Sequence, residues 1–200
     1  MAVLLCTFFS CRRESFATGC VQPLSYQGEA AVTYPNSNNC SLWCDIDIND
    51  QTIRLFNNHL QTTEVSRNKR KLEKELRADD TDRAERAALT LADGLHENFK
   101  KRAAQAEHIN QLISASPYPT LVCGDFNSLP SSYVYQTVKG EKLNDGFQTC
   151  GHGYMYTFRY FKHLLRIDYI LHSPELNSTD YFSPDLNYSD HNPVVMRMRL

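Results

Sequence analysis

No apolar run in these 200 residues approaches the roughly 18 consecutive positions that a membrane-crossing helix needs. Val3 to Phe9 is mostly apolar, but no basic stretch precedes it, and Arg12 and Arg13 follow it closely. As written, this argues against both a transmembrane span and a secretory leader. F-F-S-C at Phe8–Cys11 is only a faint match to a lipoprotein cleavage site. The chain reads as soluble as written, which suits the cytoplasm, and an anchor or signal upstream stays open. A surplus of positive charge is also lacking. With 21 Lys and Arg against 23 Asp and Glu, the formal net charge is −2, so no chain-wide basic footprint points to nucleic acid. Nor do the seven cysteines pair up. Three of them, Cys6, Cys11 and Cys20, crowd the start, and the remainder are scattered, so no disulfide framework is implied. Cys40 and Cys44 lack the second Cys or His pair that a structural zinc site requires.

What is present begins with three short segments that place an acid or amide where an apolar run stops. Thr120, Leu121, Val122 and Cys123 read as a buried strand, which Gly124 releases into a turn carrying Asp125 and Asn127. Taken alone, G-D-F-N is more simply an Asx turn. In R-I-D-Y-I-L, strand alternation puts Asp168 on the face opposite Ile167, Tyr169 and Leu171. A carboxylate buried there needs a partner. Ser189, Asp190 and His191 precede the apolar run Val194, Val195, Met196, Met198, and His191 can supply that partner. Asp168 would then fix the imidazole tautomer and stabilise the imidazolium, as the third member of a triad does.

A fourth element lies upstream. Leu42, Cys44, Ile46 and Ile48 alternate with Trp43, Asp45 and Asp47, Asn49-Asp50 makes a turn, and Ile53 and Leu55 open a second strand. This predicts a β-hairpin whose second strand ends at His59, within N-N-H-L. A histidine in that position is more often structural than catalytic, and only its company argues otherwise.

In this order, N-H-L, G-D-F-N, R-I-D-Y-I-L and S-D-H-N-P-V resemble the motifs of the endonuclease/exonuclease/phosphatase superfamily, over about residues 31 to 200. The resemblance implies a DNase I-like α/β fold: a four-layer αββα sandwich of two mainly antiparallel sheets with helices outside. It further implies Mg²⁺-assisted (or Mn²⁺-assisted) attack of water on a phosphate ester, since hard oxygen ligands suit these ions. His191 would be the general base and Asp168 its orienting partner. Asp190 would help hold the metal. Asp125 and Asn127 would position the nucleophile and the scissile phosphate, and His59 would donate to a phosphate oxygen as its charge grows.

The departures from the family pattern are equally specific. Its members carry an Asn at the end of the first strand and, further on, a Glu that is the principal metal ligand. Residues 1–30 show neither; Glu14 and Glu29 are their only acids, and neither has the right setting. The expectation is therefore an N-terminally incomplete member that lacks its first strands, with 1–30 an anomalous segment and 31–200 the later part of the domain. The rival reading is a catalytically inactive fragment that only binds an anionic ligand or a partner.

Two further stretches carry weaker signals. Over 62–116, Ala84, Ala88, Leu91, Leu95, Ala106, Ile109, Leu112 and Ile113 recur at helical spacing, with Arg83, Arg86, Lys100, Lys101 and Arg102 opposite them. R-N-K-R-K-L-E-K-E-L-R at 67–77 predicts a helix that offers Arg67, Lys69 and Arg70 to an anion or, more simply, a solvated face. From Cys150 to His163, the alternation of Tyr154, Tyr156, Phe158 and Tyr160 predicts a β-ribbon, with His152, Arg159, Lys162 and His163 available to a phosphate. Arg159 is taken as the phosphate ligand there, beside His59 and Asn127. The expected substrate is a phosphate ester within nucleic acid, a phospholipid headgroup or an inositol phosphate. No obligate protein partner is evident, and a monomer is expected.

Overall fold

The computed structural model describes residues 2–6, 25–34, 37, 39–63 and 81–199. The expectations placed on Phe8–Cys11, Glu14 and the 67–77 stretch fall outside these residues, as do the side chains of Glu29, Ala84, Ala88, Leu91, Arg83 and Arg86.

The hairpin forms as predicted. Strands Cys40–Ile48 (β3) and Gln51–His59 (β4) pair antiparallel, with Ile48 opposite Gln51. Asn49 and Asp50 link them with φ of 52° and 63°. Two left-handed residues match the twist of the flanking strands, and Asn and Asp tolerate that conformation best after Gly. Ser25–Thr33 (β2) flanks β3 on its other side. From β4 the chain passes through the helix Thr81–Ser114 (α1) and returns as Thr120–Asp125 (β5), parallel to β4. The short helices Tyr133–Lys139 (α2) and Gly146–Cys150 (α3) flank the two-residue strand Asn144–Asp145 (β6). Asp168–His172 (β7) then inserts antiparallel between β5 and β6, completing a sheet of order β2-β3-β4-β5-β7-β6.

A second sheet joins Ala2–Cys6 (β1), Asn177–Phe182 (β8) and Val194–Arg199 (β9) in the order β1-β9-β8, antiparallel throughout. Ala2–Cys6 thus supplies an edge strand of the smaller sheet from a stretch where the sequence shows no motif.

Alternation along the central strands sorts side chains into two cores. Ile53, Leu55, Leu121, Cys123 and Ile170 face Val194, Met196 and Met198 of the second sheet. Their neighbours Phe56, Val122, Tyr169 and Leu171 face outward, against Ala106, Ile109 and Ile113 of α1 and Val134, Tyr135 and Val138 of α2. The result is the α/β class expected: two packed, mainly antiparallel sheets with helices outside. Removing the Ile170 side chain from this filled interior costs about 2–5 kcal/mol by the usual measure of such truncations.

Three expectations need correction. Arg102 does not lie opposite the apolar stripe of α1; it is fully buried in line with Ala106, Ile109 and Ile113. Positions 102, 106, 109 and 113 are one helical face by spacing alone, and residue type misleads there. The β-ribbon over 154–160 is absent, because that stretch makes only the isolated bridges Phe158↔Leu165 and Phe158↔His191. It turns at Lys162 and His163, both with positive φ. Finally, Cys40 is disulfide-bonded, whereas Cys44, Cys123 and Cys150 are free.

Candidate active site

Strand register builds the site. The antiparallel pairing of β5 with β7 sets Asp125 opposite Asp168, and the parallel pairing of β4 with β5 sets His59 beside Asp125. Side chains two apart share a face, so Asp125 follows Cys123, and Asp168 precedes Ile170, on the side facing the second sheet. Where the hydrophobic filling between the sheets ends, these carboxylates begin. Gly124 makes the approach possible. A Cβ there would lie 1.9 Å from the Asn58 carbonyl oxygen, and its φ of +134° is one that L side chains rarely adopt.

The segment entering β9 brings His191 to the pair. Its Nδ1 lies 3.0 Å and 3.2 Å from the two Asp168 oxygens. One ligand atom each from Asp125, Asp168 and His191 fall within 4.8 Å of one another. His59 Nε2 is 3.8 Å from Asp125 Oδ2. The backbone N–H groups of Ile167 and Asp168 both donate to Thr157 Oγ1, at 3.0 Å and 3.1 Å.

Asn127 takes a left-handed φ of 48°. Its backbone N–H donates to Asp125 Oδ1 at 2.6 Å, and its amide nitrogen donates to Asp125 Oδ2 at 2.9 Å and to the Leu60 carbonyl at 3.1 Å. Arg102 reaches from α1 to donate through Nη1 to the Asn127 carbonyl. The Asx turn therefore forms, and it anchors the acid as well.

Electrostatics follow from this crowding. Burial, then the charge of Asp168, push the Asp125 carboxyl well above the ordinary range, while His191, the Asn127 N–H and Arg102 pull the other way. Burial also raises Asp168 against the hydrogen bond from His191. Burial lowers the affinity of His191 for a proton, but the bond to Asp168 and the charges of Asp168, Asp125 and Asp190 outweigh it, so its pKa is raised. His59 is lowered by burial and by His191. Arg102 is pushed down to about 10 by burial, with Asp125 opposing.

The predicted residues His59, Asp125, Asn127, Asp168 and His191 thus converge. Asp190 sits beside them but is exposed, its carboxylate accepting from Ser189 Oγ at 3.3 Å. Arg159, expected on substrate phosphate, is engaged elsewhere. Its guanidinium donates to Asp185, to Asn187, to the Leu186 carbonyl at 3.0 Å and to Asn192 Oδ1 at 3.0 Å. Its backbone N–H holds the Asp190 carbonyl at 2.9 Å. Sequence reasoning missed Arg102 and Asn192 as parts of the site, and it marked Thr157 only through the T-F pair that flanks the substrate in the family. Asn192 is buried and donates its backbone N–H to the Thr157 carbonyl at 2.7 Å. Its signal was its place inside S-D-H-N-P.

A model of the Endonuclease/Exonuclease/phosphatase family matches residues 22–191. The chain belongs to that family of phosphoester hydrolases. A humanised TDP2 from D. rerio superposes with a TM-score of 0.61 at 15% identity, covering 88% of this chain and 68% of that one. A truncated Caenorhabditis elegans TDP2 gives 0.58 at 15% identity, with 88% and 67% covered. The human Nocturnin catalytic domain, solved with a sulfate anion, gives 0.52 at 19% identity, with 88% and 60% covered. The chain thus spans about two thirds of these structures. No curated protein matches it by sequence. Among the described residues, no helix is long and apolar enough to cross a membrane.

Proposed function

We propose that this site hydrolyses a phosphate ester by general-base activation of water, and that the chain is a metal-dependent phosphodiesterase of the nuclease-like type. One observation carries the reading: a buried carboxylate, Asp168, holds His191 Nδ1 at 3.0 Å directly beside the second acid, Asp125. Nδ1–H donates to Asp168, which fixes the tautomer whose Nε2 bears the lone pair. His191 takes the proton from water as the oxygen attacks phosphorus, and Asp168 stabilises the imidazolium that results. Asp125, locked in position by Asn127, orients that water. Asn127 and His59 place donors near the phosphate oxygens, and the lowered pKa of His59 keeps it a neutral N–H donor near pH 7.

The donor set suits a hard divalent cation. Two crowded, buried carboxylates with raised pKa values are a charge arrangement that a cation relieves, and oxygen ligands favour Mg²⁺ or Mn²⁺. Asp190, with the neighbouring carboxylates, would hold it, and when bound it would supply Lewis-acid stabilisation of phosphate oxygens. Arg159 acts here by tying down the segment that carries Asp190 and His191. The family and the names of the similar structures support phosphoester chemistry. Mannosyl-6-phosphatase from Bacteroides thetaiotaomicron, with a TM-score of 0.52, 16% identity and 88% of this chain and 67% of that one covered, is a further example.

The test is hydrolysis of bis-p-nitrophenyl phosphate and of a nicked plasmid, with Mg²⁺, Mn²⁺ or EDTA, by the wild type and by His191→Ala. The expected result is metal-dependent turnover that falls at least about a hundredfold in the variant. A folded sample without turnover supports the binding-only alternative.

A further inference from the structure

Strand pairing accounts for the placing of Asp125 and Asp168 but stops short of Asn127. The β5–β7 ladder ends at Asp125 opposite Asp168, and one more backbone bond, from the Phe126 N–H to the Ile167 carbonyl at 2.9 Å, carries the pairing past it. Beyond that point buried side chains take over. Arg102 donates to the Asn127 carbonyl, and the next carbonyl, that of Ser128, accepts from the Tyr169 hydroxyl at 2.7 Å. Tyr169 directly follows Asp168 in β7, so its side chain leaves the sheet on the opposite face, toward the helices. It is fully buried there, with its ring 4.9 Å from that of Phe126, inside the same turn, and 4.8 Å from that of Tyr135. The hydroxyl oxygen also lies 2.6 Å from the Arg166 carbonyl. A phenol has one proton to donate, and here it is aimed between a carbonyl of the Asn127 turn and one of the segment that leads into Asp168.

We infer that the Tyr169 hydroxyl is a positioning group: by holding the Ser128 carbonyl beside the Arg166 carbonyl, it sets the Asn127 turn, and with it Asp125, relative to Asp168. The inference rests on the hydrolytic reading for its effect on rate and on the geometry for its effect on the turn. Asn127 bonds both oxygens of Asp125, so rotation of the turn moves the acid. Two successive carbonyls drawn inward by buried donors resist that rotation. Tyr135 offers an internal contrast. It is nearly as buried, and its hydroxyl also meets a buried acceptor, Asp145 Oδ2 at 2.6 Å. Asp145 in turn forms a two-pronged pair with Arg166, at 2.7 Å and 3.1 Å, and accepts the Phe147 N–H at the start of α3. These groups join α2, α3 and the approach to β7, and none of them belongs to the Asn127 turn.

Removing one hydroxyl at a time from the full chain tests this. Tyr169→Phe and Tyr135→Phe keep their rings, and each is expected to lower the urea midpoint while the chain stays folded. In Tyr169→Phe, the Asn127 N–H, followed by NMR, should exchange about tenfold faster, and kcat on bis-p-nitrophenyl phosphate in Mg²⁺ should fall about tenfold with KM nearly unchanged. In Tyr135→Phe, exchange at Asn127 and kcat should both stay near their wild-type values, although stability falls. Unchanged exchange in Tyr169→Phe, or equally faster exchange in both variants, overturns the inference. So does, with an active wild type, an unchanged kcat, a loss confined to KM, or an equal loss of kcat in both variants. Faster exchange in Tyr169→Phe alone, with no hydrolysis by the wild type, upholds the positioning of the turn and removes the hydrolytic reading instead.

Discussion

The two walls of the candidate active site are secured by different means. On the β4–β5 side, Asp125 is almost fully buried and receives two hydrogen bonds from Asn127, whose carbonyl in turn is gripped by the buried Arg102. On the opposite side, Asp190 is exposed, and the segment from 185 to 192 is held by Arg159, by the Asn192 N–H on the Thr157 carbonyl and by the His191 bond to Asp168. One wall inherits its precision from sheet register, and the other from a loop whose side-chain bonds come mainly from one arginine clamp. If the proposed site is catalytic, its geometry should be more sensitive to changes in the loop wall than to changes in the sheet wall.

The bond that joins the walls should matter most. Asp168→Asn is expected to lower kcat by about 10³- to 10⁴-fold through loss of the tautomer that Asp168 imposes. It should also move the acid limb of the pH–rate profile to lower pH. Asp168 raises the proton affinity of His191, so without it the neutral base survives further into acid. An unchanged profile would detach Asp168 from the base. On the rigid wall, Gly124→Ala drives a Cβ into the Asn58 carbonyl and should cost about 3 kcal/mol or more, read as a lowered urea midpoint at constant m. A stable variant would mean that β4 and β5 are not locked.

The clamp gives a smaller effect of a different kind. Arg159→Ala should lower kcat about 10- to 100-fold, leave KM nearly unchanged and speed amide exchange over 185–192, since displacements near 1 Å carry costs of that size. A rise in KM alone would return Arg159 to the substrate phosphate, where the sequence first put it. Smallest of all is the expected change in stability for Arg102→Met. It should stay within about 2 kcal/mol in either direction, because the buried guanidinium is costly to desolvate and leaves Nε and Nη2 without partners. Activity should still fall about tenfold as the Asn127 turn loosens. Collapse of the fold in that variant would make Arg102 a structural keystone of the rigid wall.

Much of the rigid wall was legible in advance. Alternation from Leu42 to Leu55 around Asn49-Asp50 encodes the hairpin, because solvent and core select opposite faces of a strand. The apolar runs before Asp125 and around Asp168 encode buried strands with acids at their ends. His59, Asp125, Asn127, Asp168 and His191 were recognisable only jointly, and the structure brings them together. The clamp was less legible. Arg159 satisfies four acceptors contributed by residues 185–192, and nothing in the local pattern says whether an arginine serves its own chain or a ligand. Aromatic alternation at 154–160 suggested a ribbon, yet it is Thr157, between two of those rings, that is fully buried and takes the backbone donors of Ile167 and Asp168. Arg102 was misplaced because charge outweighed spacing in reading its helix.

The parallel pairing of β4 with β5 also governs when the site comes into being. Asn58 and Cys123 are 65 positions apart in sequence yet share a hydrogen bond, with the whole of α1 lying between them. The β3–β4 hairpin can close within microseconds, but a parallel neighbour across such a span must first overcome a large loop-closure entropy. His59 and Asp125 are therefore expected to meet only after α1 has docked, and His191 to join only once β9 has found its place. In refolding, ellipticity is expected to recover before any hydrolytic activity does.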